Sequence, residues 1–187
     1  MPDFYQGTEL WDLSLVDPDN RRPIDWALRR RLLGDLVKEI EGTQGSAVLA
    51  RSLLRTHEDG RIKLYLTRQT LAFRRARALL FERGEYRPLE AQGSLAEHVC
   101  AFARVADGRV ALTVVPRHLA KRRIDDLPLG ADYWGSTWLP ISEDLGARFS
   151  NVLTGEILEV VLTAEGRGLA LGRVLASFPV ALLEAAP

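Results

Sequence analysis

Pro2-Asp3-Phe4-Tyr5-Gln6-Gly7-Thr8-Glu9-Leu10-Trp11-Asp12, joined closely by Asp17-Pro18-Asp19-Asn20-Arg21-Arg22-Pro23, is the stretch on which the fold of this 187-residue chain turns. Asp3-Phe4-Tyr5 is β-prone but very short, and Gly7 closes it. From Thr8 as far as Pro23 the chain reads as one long irregular loop. Loops of that length are usually functional or disordered. The aromatic residues and the turn chemistry of Asp17-Pro18-Asp19-Asn20 favour an ordered one. A strand with hardly any residues before it and no partner nearby reads as the last residues of a strand, so a truncated opening is expected. Tyr and Trp offer faces on which sugar rings stack, while carboxylates, amides and Arg forks pair with hydroxyl rims. The plainer reading is a turn with Arg21 and Arg22 in solvent. Asp3, Glu9, Asp12, Asp17, Asp19 and Asp25 supply carboxylates for glycoside chemistry. Proximity in sequence, however, does not set two of them about 5 Å apart across a bond.

Working outward, Ile24 to Glu41 predicts a helix with Asp25 as N-cap and Leu28, Leu32, Leu33, Leu36, Val37 and Ile40 at helical spacing. A second helix is expected over Ser46–Thr56, with Val48, Leu49, Ser52 and Leu53 on one face. A third runs from about Ile62 to Arg83 and is stopped by Gly84. After Tyr86 the period becomes alternating. His98–Arg104 and Arg109–Val115 flank Asp107-Gly108, a hairpin signal. Further strands are expected at Ser136–Pro140, Arg148–Val152, Glu156–Val161 and Ala181–Glu184, while Leu169–Leu175 fits a strand or a helical turn. The expected organisation is α+β, with helices in residues 1–86 and a small antiparallel β domain in residues 87–187.

Composition excludes several classes of function. Lys+Arg and Asp+Glu both number 25, so no field for a polyanion is implied. Hydrophobic residues at 47% and charged residues at 27% are ordinary globular values. One cysteine rules out a disulfide framework, and the three histidines lack ligand spacing, so no metal and no cofactor is expected. No apolar run approaches the roughly 18 residues of a membrane helix. The opening residues do not resemble a secretory signal. The expectation is a soluble, cytoplasmic protein with neither a nucleic-acid nor a membrane partner. The clusters Arg29-Arg30-Arg31, Arg74-Arg75-Ala76-Arg77 and Lys121-Arg122-Arg123 read as solvated faces. Cys100, in an apolar strand, reads as a buried thiol.

The two opening motifs closely resemble the maltooligosyl trehalose synthase family of the α-amylase clan. The resemblance continues through Asp59-Gly60-Arg61-Ile62-Lys63-Leu64-Tyr65-Leu66-Thr67-Arg68, Phe81-Glu82-Arg83-Gly84-Glu85-Tyr86, Val114-Val115-Pro116-Arg117 and Phe178-Pro179-Val180-Ala181-Leu182-Leu183. It implies that Tyr-Gln-Gly-x-Glu ends the eighth strand of a (β/α)8 barrel. Helices closing the barrel and a β-sandwich domain would come next, so that the chain is the C-terminal portion of a larger enzyme. It also implies that the clan's catalytic Asp, Glu and second Asp lie on earlier strands, leaving no catalytic residue here.

The implied parent is an isomerase of trehalose biosynthesis, an intramolecular transferase. It turns the reducing-end α-1,4 link of a malto-oligosaccharide into an α,α-1,1 link through a glycosyl-enzyme, as retaining glycosidases do. Released glucose must be gripped while water is excluded. On that reading Tyr5, Gln6, Glu9, Asp19, Asn20, Arg21 and Arg22 line or support the substrate site. The implied partners are a malto-oligosaccharide, the upstream catalytic barrel and a second copy meeting an exposed barrel face. The chain alone would be inactive. The alternative is a free-standing malto-oligosaccharide-binding module with Tyr5, Trp11, Trp134 and Trp138 as platforms.

Overall fold

The computed structural model describes residues 5, 7–42, 46–122, 127–164 and 166–186. Asp3, Phe4, Gln6 and Arg123, which the sequence motifs include, lie outside the described residues. From Gly7 to Pro23 the chain is irregular, with one 3-10 turn at Asp19–Arg21. Helix α1, Trp26–Gly42, starts where Asp25 Oδ1 accepts the Leu28 amide at 2.8 Å, an N-cap bond that supplies an orphan donor. It buries only Leu36 fully, and Leu33 is exposed. Helix α2, Ser46–Arg55, buries Leu49, Ala50, Leu53 and Leu54, so its inner face is rotated from the expected one and Val48 is exposed.

The long third helix is two. Helix α3, Arg61–Ala76, ends at Arg77 with φ −121° and ψ 39°, and α4, Ala78–Glu82, comes directly after. The break carries the Arg77 guanidinium to Glu184, which it meets with both Nε and Nη2, the latter at 3.3 Å from Oε2. Spacing of apolar residues cannot foresee a break made by a partner so distant in sequence.

Six strands form one antiparallel sheet. Strand β1 (Glu85–Leu89) pairs with β2 (Val99–Ala106), which pairs with β3 (Arg109–Pro116) through the Asp107-Gly108 turn. Both turn residues have positive φ, 48° and 71°, as a type I′ hairpin requires. The three-strand sheet is β4 (Trp138–Pro140), β8 (Gly166–Ala170) and β7 (Val161–Thr163), in that order. The larger sheet continues from β3 to β9 (Ala181–Ala185), β5 (Arg148–Asn151) and β6 (Ile157–Glu159). The expected strand Glu156–Val161 is thus divided. Its chain leaves one sheet at Glu159 and joins the other at Val161. Leu169–Leu175 is both alternatives in turn: the end of β8, then the short helix α6, Leu171–Val174. Another short helix, α5, spans Gly130–Trp134.

Two cores explain the apolar runs. Leu112 and Leu183, paired across β3 and β9, face the smaller sheet with Trp134, Leu139, Phe149 and Leu171. Their neighbours Ala111 and Leu182 face the helices with Leu36, Leu53, Tyr65, Leu80, Leu153 and Phe178. The central strands are therefore covered on both faces, which alternation alone does not produce. Cys100 is exposed, a correction to the buried thiol. Val99 and Ala101 take the inward positions of β2, and the period of two turns Cys100 outward. Fused by these cores, the molecule has mixed helices and antiparallel sheets.

Candidate functional site

Arg29, one turn into α1, organises the opening segment. Its Nε lies 3.2 Å from both the Gly7 carbonyl and Glu9 Oε2, its Nη2 also meets the Gly7 carbonyl, and its Nη1 donates to the Asp25 carbonyl at 3.2 Å. Gly7 itself presses on Ile24, just ahead of the helix. The Tyr5 carbonyl accepts both the Thr8 amide, at 3.2 Å, and the Thr8 hydroxyl, at 2.7 Å. A tight turn is thereby seated on the start of α1.

Beyond it the chain is held from another side. Trp11 Nε1 donates to the His57 carbonyl at 2.5 Å. Lys63 Nζ donates to the Leu10 carbonyl at 3.1 Å and stands 5.7 Å from the centre of the Trp11 ring. The Asp17–Pro18 peptide is cis. Between these attachments lies a groove of about 560 Å³ whose walls include Tyr5, Trp11, Asp12, Ser14, Asp19, Asn20, Arg22, Asp25 and Arg29. Tyr5 and Trp11 leave 60% and 47% of their surface open, enough for a flat ligand face to meet them.

The polar walls are already organised. Hydrogen bonds from the Ser14 hydroxyl and amide hold the Asp12 carboxyl below its ordinary pKa, so that it is an ionised acceptor at neutral pH. Asp19 Oδ2 accepts the Leu15 amide at 2.8 Å while Oδ1 pairs with Arg22. Asn20 Oδ1 is buried without a hydrogen-bond partner, an acceptor that a ligand donor or water would satisfy.

Of the residues singled out from sequence, Tyr5, Asp19, Asn20 and Arg22 meet at this groove. Glu9 lies behind it, bound to Arg29 and, at 3.4 Å, to the Gly7 amide. Arg21 is not among the groove residues and pairs with Asp17 at 2.9 Å. Gln6 is outside the described residues. Sequence reasoning missed Ser14 and Arg29. Asp12-x-Ser14 carries a local signal, a side-chain-to-backbone turn, but nothing local marks Arg29. The binding-module alternative loses Trp134, which is fully buried with Nε1 bonded to the Pro128 carbonyl at 2.9 Å. Trp138 is half-buried, packed over Gly166 and Gly168.

Elsewhere, an apolar depression of about 410 Å³ lies between α3 and the β3–β9 face, lined by Leu66, Leu71, Phe81, Val115 and Leu182 among others. Among the described residues no helix is long and apolar enough to cross a membrane, and no cluster of His, Cys, Asp and Glu could hold a metal ion.

No protein-family model matches the chain. Over 183 residues, 98% of this chain, it is 33% identical to a protein of two Mycobacterium tuberculosis strains assigned as a maltooligosyl trehalose synthase. The match spans 18% of that relative's length. The solved structure of maltooligosyltrehalose synthase from Arthrobacter ramosus superimposes on 97% of this chain with a TM-score of 0.68 and 32% identity, again over only 20% of the larger chain. A mutant of the same enzyme gives the same values. By sequence and by fold, the chain is a homologue of maltooligosyl trehalose synthase over a stretch amounting to about one fifth of that enzyme.

Proposed function

We propose that this chain is the C-terminal portion of a maltooligosyl trehalose synthase and forms part of the pocket that holds the transferred glucose. Residues 1–86 are then the last strand, substrate-side loop and closing helices of a (β/α)8 barrel, and residues 87–187 a β-sandwich domain. The parent reaction isomerises the reducing-end α-1,4 link of a malto-oligosaccharide to an α,α-1,1 link. Its catalytic carboxylates belong to the preceding part of the barrel, and none of the acids in this groove takes their role.

The observation that carries the reading is the groove between Tyr5, Trp11, Asp19, Asn20 and Arg22, formed by the two opening motifs that resemble the synthase family. Its chemistry suits a hexose. Two open aromatic faces can stack on ring carbons. The ionised Asp12 and the unpartnered Asn20 Oδ1 can accept hydroxyl protons. Arg22, three-quarters exposed beside Asp19, can donate to ring hydroxyls. Glu9 supports the turn from behind. Gripping the sugar here would keep water from competing for the glycosyl group.

A reducing-end assay with maltohexaose tests the whole reading. The chain alone should consume no reducing sugar. Combined with the complementary part of the M. tuberculosis relative, it should restore loss of reducing ends. Turnover by the chain alone would overturn the assignment of catalysis to preceding strands. Titration with maltopentaose should quench or shift tryptophan emission in a saturable way, and Trp11→Phe should remove most of that change. A flat trace for the wild type would remove the sugar groove.

A further inference from the structure

Arg29-Arg30-Arg31 carries a division of labour that its sequence does not announce. Arg30 and Arg31 are exposed, as a solvated cluster should be. Arg29 is turned inward, with 18% of its side chain open, and each of its guanidinium nitrogens is engaged by Gly7, Glu9 or Asp25. Three of its five N–H groups, one on each nitrogen, are thereby committed to the protein's own acceptors. Its acceptors lie on two segments: the turn just after Tyr5, and the N-terminal end of α1. Asp25 and Arg29 wall the groove, while Gly7 and Glu9 lie in sequence between two of its other walls, Tyr5 and Trp11.

We infer that Arg29 is a positioning residue that locks the Tyr5–Trp11 segment to α1 and so sets the spacing of the two aromatic walls. Only the nature of the ligand rests on the proposed sugar site. The geometry is specific to arginine. Gly7, Glu9 and Asp25 present three acceptors in different directions, which a planar fork meets together and a single ammonium cannot. Loss of the fork leaves the Gly7 carbonyl and the Glu9 carboxylate without their common donor. Nothing else on α1 holds Glu9 among the described residues. A wall displaced by about an ångström costs a binding site far more than the lost contact alone.

The test uses Arg29→Lys and Arg29→Gln in the whole chain, with two independent readouts. Amide hydrogen exchange of the segment 7–12 should accelerate by about tenfold or more in both variants, while that of α2, α3 and the sheets stays as in the wild type. The maltopentaose dissociation constant should rise roughly tenfold in both, with no rescue by lysine. Unchanged exchange at 7–12, full protection restored by lysine, or equal acceleration throughout the helices would each overturn the proposal. So would unaltered sugar affinity in both variants when the wild type binds. Local acceleration at 7–12 with a wild type that binds no maltopentaose would sustain the positioning role and discard the sugar ligand.

Discussion

The Tyr65 hydroxyl donates a hydrogen bond of 2.5 Å to the Leu153 carbonyl, joining the third helix to the turn beyond the fifth strand across 88 positions of sequence. The ring is fully buried and meets Phe178 edge-on at 6.2 Å. The bond therefore ties together, inside one core, elements that local propensity would treat as separate.

Tyr65→Phe should cost about 1–3 kcal/mol, because the buried carbonyl is left without its donor. Burial pushes the Tyr65 phenol above its ordinary value of 10.0, with the Gln69 side chain pulling weakly the other way. An acid whose folded pKa is raised keeps its full contribution below the unfolded pKa and loses it as pH rises through the folded one. The gap in stability between wild type and Tyr65→Phe should accordingly narrow above pH 10. Urea unfolding of both proteins at neutral and strongly alkaline pH measures it. A gap independent of pH would refute the burial account.

Gly7 adopts φ 97°, and a Cβ there would stand 2.6 Å from Ile24 Cδ1 and 2.9 Å from Cγ1. Gly7→Ala should destabilise the turn by about 1–3 kcal/mol, from left-handed strain and the clash together. Ile24→Val removes Cδ1 but keeps Cγ1, and should recover part of the steric share and none of the strain. Thermal melts of the two single variants and the double variant decide this. Strict additivity would mean that residues 7 and 24 do not touch.

Asp59 accepts the Arg61 amide at 2.8 Å and Arg61 Nε at 2.7 Å. Partial burial raises its pKa, but the hydrogen bonds from Arg61 outweigh this and leave the carboxyl below 3.8. The stability it supplies is present above that value and is lost as pH falls through the folded pKa. The pair is too exposed to contribute more than about 1 kcal/mol. Because the same turn holds Trp11 through His57, acid should loosen Trp11 first. Tryptophan emission monitored below pH 4 should change in the wild type and much less in Asp59→Asn.

Legibility from sequence tracked the range of the forces involved. The Asp25 cap and the Asp107-Gly108 hairpin are local, and they are found where turn chemistry puts them. The break at Arg77, the switch of sheets at Val160 and the rotated face of α2 depend on partners such as Glu184, which no window of neighbouring residues contains. At the groove, Tyr5, Asp19, Asn20 and Arg22 were singled out through the resemblance of the loop to a known family, since its crowded aromatic and polar residues alone read equally as a plain turn. Arg29 was hidden by its neighbours Arg30 and Arg31, since a run of like charges does not show which member faces inward.

One helix carries a consequence for how the groove comes into being. Along α3 and its end, Lys63 grips the Leu10 carbonyl, Tyr65 the Leu153 carbonyl and Arg77 the Glu184 carboxylate. At about 5–20 residues per second, synthesis separates residue 29 from residue 184 by roughly 8 to 30 s. Through that interval the segment bearing Tyr5 and Trp11 has been made, while the strand that seats α3 has not. The groove's walls are thus written early and braced late. The order of synthesis is then walls first, at Tyr5 to Arg29, the braces His57 and Lys63 next, and last the strand whose Glu184 anchors the far end of α3.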